Sequence, residues 1–249
     1  MHLKLGYVLA LLLIGILTGG PLSNASEQTS GAASKAVPIS SEHHHHLAME
    51  NSFVRVYEVE VPAHEATLMH QHDRDYVYIV LGDSDVTNEV QGKSAVKMSL
   101  PDTAVNFSKG PFAHIAGNNG EKPFRNVTIE LLKPQGEVKS HFPSVNAALA
   151  AAKPIAGADG AREALILETN ELRVFAVEIS GKGVWQPAGG VNRLVLNLYM
   201  LNDLIQSGIW PSTAKVGDLP YGLSWFDGAV QQLRGMRDVK MRCLALEFR

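Results

Sequence analysis

An internal repeat constrains this chain more than any other feature of its sequence. The segment from Met49 to Glu60 (M-E-N-S-F-V-R-V-Y-E-V-E) returns as Leu167 to Glu178 (L-E-T-N-E-L-R-V-F-A-V-E), so Arg55 reappears 118 residues later as Arg173. Phe124 to Leu131 (F-R-N-V-T-I-E-L) returns as Met241 to Phe248 (M-R-C-L-A-L-E-F) at an offset of 117, read from Arg125 to Arg242. Two copies of one folding unit follow, over residues 43–135 and 161–249. Between them, in the linker 136–160, Val145 to Lys153 has the composition of a short helix, stopped by Pro154 and followed by Gly157 and Gly160.

Inside each unit the local pattern is that of strands. Val54, Val56, Val59 and Val61, then Tyr76 to Leu81, then Val127 to Leu132 are β-branched or aromatic runs bounded by turn residues such as Gly82-Asp83. No useful amphipathic helical period appears in either repeat. The fold class is therefore all-β, with each repeat closing into a small jelly-roll barrel and a helix-containing linker joining the two.

Residues 1–25 read as a signal peptide rather than as fold. Lys4 precedes an apolar run from Gly6 to Gly20 that is short for a bilayer span, and Ser23-Asn24-Ala25 offers a cleavage site after Ala25. The expectation is an exported protein, periplasmic or secreted, with no membrane association once the leader is removed. Residues 26–42 are rich in Ser, Ala, Gly and Thr and read as a flexible tether.

Composition removes several function classes. The net charge of −3 and pI near 6.4, without a stripe of Lys and Arg, argue against a nucleic-acid partner. Cys243 is the single cysteine, which excludes an intrachain disulfide and every Cys-based zinc or iron–sulfur arrangement. A metal would have to be held by His, carboxylate, Tyr or water. His70 and His72 flank Gln71 at the i, i+2 spacing that sends two strand side chains to one face, and His114 follows on a later segment. Three neutral imidazoles suit a divalent transition metal, with Fe(II), Zn, Mn, Ni and Cu all compatible.

At these residues the chain resembles the cupin superfamily. His70-Gln71-His72 with the downstream Gly82 is similar to the first cupin motif, and His114 with Asn118 to the second. The departures are specific. His64 stands where the first motif begins with Gly, and Gly110-Pro111 is a rearranged Pro-x-Gly. The motif glutamate is missing: its place falls on Asp75 or on Tyr76, depending on the direction of counting. The resemblance implies a cupin-type bicupin whose first repeat holds metal through His70, His72 and His114. A three-His site of this kind resembles the iron centres of the thiol and diketone dioxygenase branches.

Repeat two is an internal control. The offsets place Ala188 opposite His70, Gly190 opposite His72, and Gln231 or Gln232 opposite His114, so the second repeat is degenerate and one metal per chain is expected. Tyr76 and Asp75 are the candidates for orienting substrate or relaying a proton, with Tyr78 beside them. Neither Asp75 nor Tyr76 is favoured as a direct ligand; Asp75 reads more simply as a turn residue in a surface pair with Arg74, and Tyr76 as a core aromatic. His43 to His46 read as a solvated lead into the first strand, with a metal-scavenging or tag-like patch as the alternative, and Arg55 with Glu130, echoed by Arg173 with Glu247, as a scaffold ion pair. The functional expectation is a metal-dependent, dioxygenase-like enzyme acting on a small-molecule substrate, with a homo-oligomer compatible. The alternative is a non-catalytic cupin that binds a small ligand or metal.

Overall fold

The computed structural model describes residues 35–155, 158, 160–211, 221–228, 232–236 and 239–249. The expected signal peptide, Gln231 and the first part of the expected tether lie outside the described residues. Among those described, no helix is long and apolar enough to cross a membrane.

The first half carries β1 (Val37–Pro38), β2 (His45–Glu50), β3 (Val54–Val61), β4 (His70–His72), β5 (Tyr76–Val80), β6 (Ser84–Val90), β7 (Val96–Leu100), β8 (Val105–Ser108), β9 (Phe112–Asn118) and β10 (Phe124–Leu131). They form two five-stranded sheets, ordered β1-β4-β9-β6-β7 and β2-β3-β10-β5-β8. Residues 37–42, read from the sequence as the end of a tether, are built into the barrel instead. β1 pairs with β4, a 3-10 turn covers Ile39–Ser41, and Ile39 is buried. A short apolar segment, Val37-Pro38-Ile39, was hidden in a polar, small-residue context, and that is enough to dock an edge strand.

The second half carries β11 (Lys139–Ser140), α1 (Val145–Ala151), β12 (Lys153–Pro154), β13 (Ala161–Glu168), β14 (Leu172–Ile179), β15 (Val184–Trp185), β16 (Asn192–Asn197), α2 (Leu198–Gln206), β17 (Leu223–Phe226), β18 (Leu233–Arg234) and β19 (Met241–Phe248). Among the described residues its main sheet has seven strands, ordered β11-β13-β14-β19-β16-β17 with β12 added to β13, and a separate two-stranded ribbon pairs β15 with β18. Helix α2 is a departure from the all-strand reading of the repeats. The Asn197 side chain accepts from the Tyr199 and Met200 N–H groups at its start, and Leu198, Leu201 and Leu204 are buried.

The repeat seen in the sequence is the central strand pair of each barrel. β3 runs antiparallel to β10 with Arg55 opposite Glu130, and β14 runs antiparallel to β19 with Arg173 opposite Glu247. Alternation along these strands explains where the core and the cavity sit. Val54, Val56, Val77, Ile79, Val127 and Ile129 point toward one large apolar cluster shared with Leu172, Val174, Leu194, Leu244 and Leu246 of the second half. The intervening residues Tyr76, Tyr78, Asn126 and Thr128 face the interior of the first barrel. The chain thus packs two barrels against a common apolar layer, and the polar rows of the first are turned inward to line a cavity.

Candidate metal centre

Strand β4 sends His70 and His72 to the same face while Gln71 points to solvent. Strand β9 runs antiparallel beside it, with His114 the direct partner of His70. The ring centroids of these three lie 4.5 Å (His70 to His114), 5.1 Å (His70 to His72) and 5.2 Å (His72 to His114) apart. A donor nitrogen about 2.1 Å from a divalent ion places its ring centroid about 3.2 Å away, so adjacent donors have centroids about 4.5 to 5.2 Å apart. The three centroid spacings fall in that range, while the imidazoles whose donor nitrogens all lie within 4.8 Å of one another are, among the described residues, those of His45, His70 and His72.

The fixed nitrogens show how the rings are aimed. Nδ1 of His70 is paired with the Leu68 carbonyl at 2.9 Å, and Nδ1 of His114 with Asn88 Oδ1 at 2.7 Å. Nε2 of each is buried without a hydrogen-bond partner among the described residues. A buried, unpartnered imidazole nitrogen is costly unless something is bound to it, and anchoring of the opposite nitrogen is what ligand histidines require. His72 Nδ1 lies 3.8 Å from Glu130 Oε1, beyond hydrogen-bond range, and neither atom has a hydrogen-bond partner among the described residues. Burial lowers the three imidazoles, His70 to about 4, His114 to about 3, and His72 in the same direction, with the neighbouring histidines adding to the effect. All three are therefore neutral at physiological pH, the form that coordinates metal.

The surrounding cavity measures about 290 Å³. Tyr76 stacks on His72 at 4.2 Å with an interplanar angle of 21°, and Phe112 continues the stack. No Lys, Arg, Asp or Glu lines the cavity among the described residues.

No protein-family model matches the chain, and no curated protein sequence matches it. Solved structures do. A point mutant of salicylate 1,2-dioxygenase from Pseudoaminobacter salicylatoxidans superposes with a TM-score of 0.52 at 11% identity, over 80% of this chain and 71% of the other. AerE from Microcystis aeruginosa gives 0.50 at 6% identity, over 78% and 87%. A cupin domain from Bordetella pertussis Tohama I is 23% identical over 35% of this chain and 90% of its own, with a TM-score of 0.34. The chain has the bicupin fold.

Asp75 is not among the residues that line the cavity. Its carboxylate accepts from the backbone N–H of Gly110 and of Gln135, both at 2.9 Å, and from Lys109 Nζ at 3.0 Å. The side chain is buried, so the surface pair with Arg74 expected from the sequence is replaced by a clamp on two segments, one at Lys109-Gly110 and one at Gln135. Gly110 is required at this clamp because a Cβ there would collide with the Arg74 carbonyl. Asn118, the last motif residue, is also scaffold: its Nδ2 donates to the carbonyls of Val61, Pro62 and Lys122.

The cavity residue that sequence reasoning did not single out is His45. The run from His43 to His46 is not a uniformly solvated lead: His44 is buried, and the His45 side chain is 5% exposed and lines the cavity. The available signal was alternation, because His45 precedes Leu47 by two and so shares its face in a strand; the register shift between Leu47 and Met49 obscured it.

Proposed function

We propose that this chain is an exported, metal-dependent enzyme of the dioxygenase-like kind, acting on a small molecule, with His70, His72 and His114 holding a divalent transition metal and Fe(II) favoured. The observation that carries this reading is the convergence of three buried neutral imidazoles, two with orphaned Nε2 atoms, on one cavity. Such an ion would supply Lewis acidity and one-electron redox chemistry. The protein's own residues define the ligand. A cavity of about 290 Å³ is at the lower end for small-molecule sites and suits a compact substrate. The absence of lining charges, among described residues, favours a substrate that is neutral away from its chelating atoms, since an unpaired ionic group would lose its hydration there. Phe112 and Tyr76 provide a flat apolar wall. Burial raises the Tyr76 phenol well above its ordinary range and Tyr78 to about 12, so both stay protonated and can donate but not abstract. Asn106 Nδ2 is buried, lines the cavity and has no hydrogen-bond partner among the described residues, which suits it to a substrate oxygen.

The test is elemental analysis of protein produced without an affinity tag, followed by oxygen-uptake assays with thiols, diketones and phenolics. One equivalent of metal, lost on His70→Ala or His114→Ala, is expected. Full metal content in the triple His70→Ala, His72→Ala, His114→Ala variant would overturn the proposal.

A further inference from the structure

We infer that the metal centre has a fourth protein donor, His45, delivered by the N-terminal strap and held in place by Glu42. This rests on the three-histidine reading above and extends it to a segment outside both cupin motifs.

His45 arrives from the opposite sheet. It lies on β2, where it pairs with Val59, whereas His70, His72 and His114 lie on β4 and β9. Its ring centroid is 4.7 Å from that of His70 and 6.2 Å from that of His72. One nitrogen of each of His45, His70 and His72 falls within 4.8 Å of the others. The His45 ring thus approaches His70 about as closely as the His114 ring does, 4.7 against 4.5 Å.

The far side of the His45 ring is fixed as a ligand's would be. Nδ1 lies 2.6 Å from Glu42 Oε2, a carboxylate–histidine pair of the kind that orients metal-bound imidazoles. Glu42 is itself fully buried and held by the N–H groups of His44 (3.0 Å) and Leu68 (3.2 Å). Leu68 closes the link, because its carbonyl is the partner of His70 Nδ1. One residue thus anchors the supports of both His45 and His70. The strap that carries Glu42 is registered on the ligand strand by β1, with Val37 opposite His70 and its N–H donating to the Met69 carbonyl at 2.9 Å.

Two further observations favour a functional role. The carboxylate that a cupin motif would supply is absent from the cavity, since Asp75 is committed to its clamp, so a donor position is left for another residue. In the degenerate barrel the residue at the place of His45 is Glu163, which pairs with Val177 as His45 pairs with Val59. Glu163 there accepts a structural bond from Trp185 Nε1 at 2.8 Å. The copy without the other three histidines lacks this one too.

The experiment uses the full-length protein loaded with Co(II) or Zn(II). X-ray absorption of the zinc-loaded wild type should give scattering from four imidazoles; three would overturn the inference whatever the variants do. By competition with a chromophoric chelator, His45→Ala should weaken Co(II) binding by about 10- to 100-fold and change the Co(II) absorption bands, and Glu42→Gln should weaken it by about 10-fold. His141→Ala, at an exposed histidine, should change neither. If His70→Ala and His114→Ala abolish binding while His45→Ala leaves affinity and bands intact, the three-histidine centre stands and His45 is not a ligand. A wild-type protein that takes up no metal would remove both readings.

Discussion

Arg193 holds in the second barrel the position that Tyr76 holds in the first. Each is the direct partner, on the neighbouring strand, of the glutamate near the end of the last strand: Glu247 for Arg193 and Glu130 for Tyr76. In the second barrel Arg193 is buried and bonds Glu247 Oε1 at 2.6–2.7 Å, while Arg173 takes Oε2 at 2.6 Å. In the first, Arg55 turns mainly to Glu50 (2.7 Å) and reaches Glu130 only at 3.9 Å, so burial raises the Glu130 pKa and the carboxylate is left facing His72. The sequence echo of Arg and Glu therefore hides two different environments. A closed ion network fills the copy without histidines, and an aromatic wall replaces its buried arginine where the cavity opens.

The network makes the second barrel sensitive to charge removal. Arg193→Met leaves part of a buried carboxylate unpaired and should cost about 3 kcal/mol or more of unfolding free energy. The double change Arg193→Met, Glu247→Met should recover most of that loss. Urea unfolding of both variants measures this, and equal destabilisation by the single and double changes would show that the pair is not coupled.

Asp75→Asn separates scaffold from ligand. Because the Asp75 carboxylate clamps Gly110, Gln135 and Lys109 rather than facing the cavity, metal stoichiometry should remain that of wild type. Stability should fall by about 1–3 kcal/mol, as a buried charged acceptor is replaced by an amide that offers one oxygen. Loss of metal without loss of stability would place Asp75 in the centre after all.

Acid should unfold the metal-free protein through its histidines. Their folded pKa values, about 4 for His70 and about 3 for His114, lie below the ordinary 6.5, so the unfolded chain binds more protons between those values. The stability tied to neutral imidazoles is complete above pH 6.5 and is lost as pH falls toward 4, by about 1.4 kcal/mol per pH unit for each histidine. Denaturant midpoints measured from pH 7 to pH 5 should fall, and His70→Gln should make the slope shallower. A midpoint independent of pH over that range would contradict the burial argument.

Truncation after Lys153 should yield an aggregating first barrel. Val56, Val127 and Ile129 share one apolar cluster with Leu172, Val174, Leu194 and Leu246, and α1 packs on β13 and β14. Removing the second barrel would expose that layer to water. Size-exclusion chromatography would decide it, because a soluble monomeric fragment would show that the shared core is dispensable.

Sequence alone determined the features that are local or periodic. The repeat offset follows from residue identity, the strands from alternation, and the shared face of His70 and His72 from the two-residue period of a strand. Even the inward polar row was present in the alternation of Asn126, Thr128 and Glu130 with Val127, Ile129 and Leu131. What the tertiary structure decided is everything that depends on one sheet facing another. His45 and His70 are 25 positions apart (45 to 70) on different sheets, and no period connects them; only closure of the barrel brings their rings to 4.7 Å. The same holds for Asp75, whose partners come from two distant segments, and for α2, whose Asn197 cap and apolar spacing lay within what reads locally as strand. Short-range pattern encodes which way a side chain points, whereas the identity of what it meets is set by the stacking of layers, which no window of sequence contains.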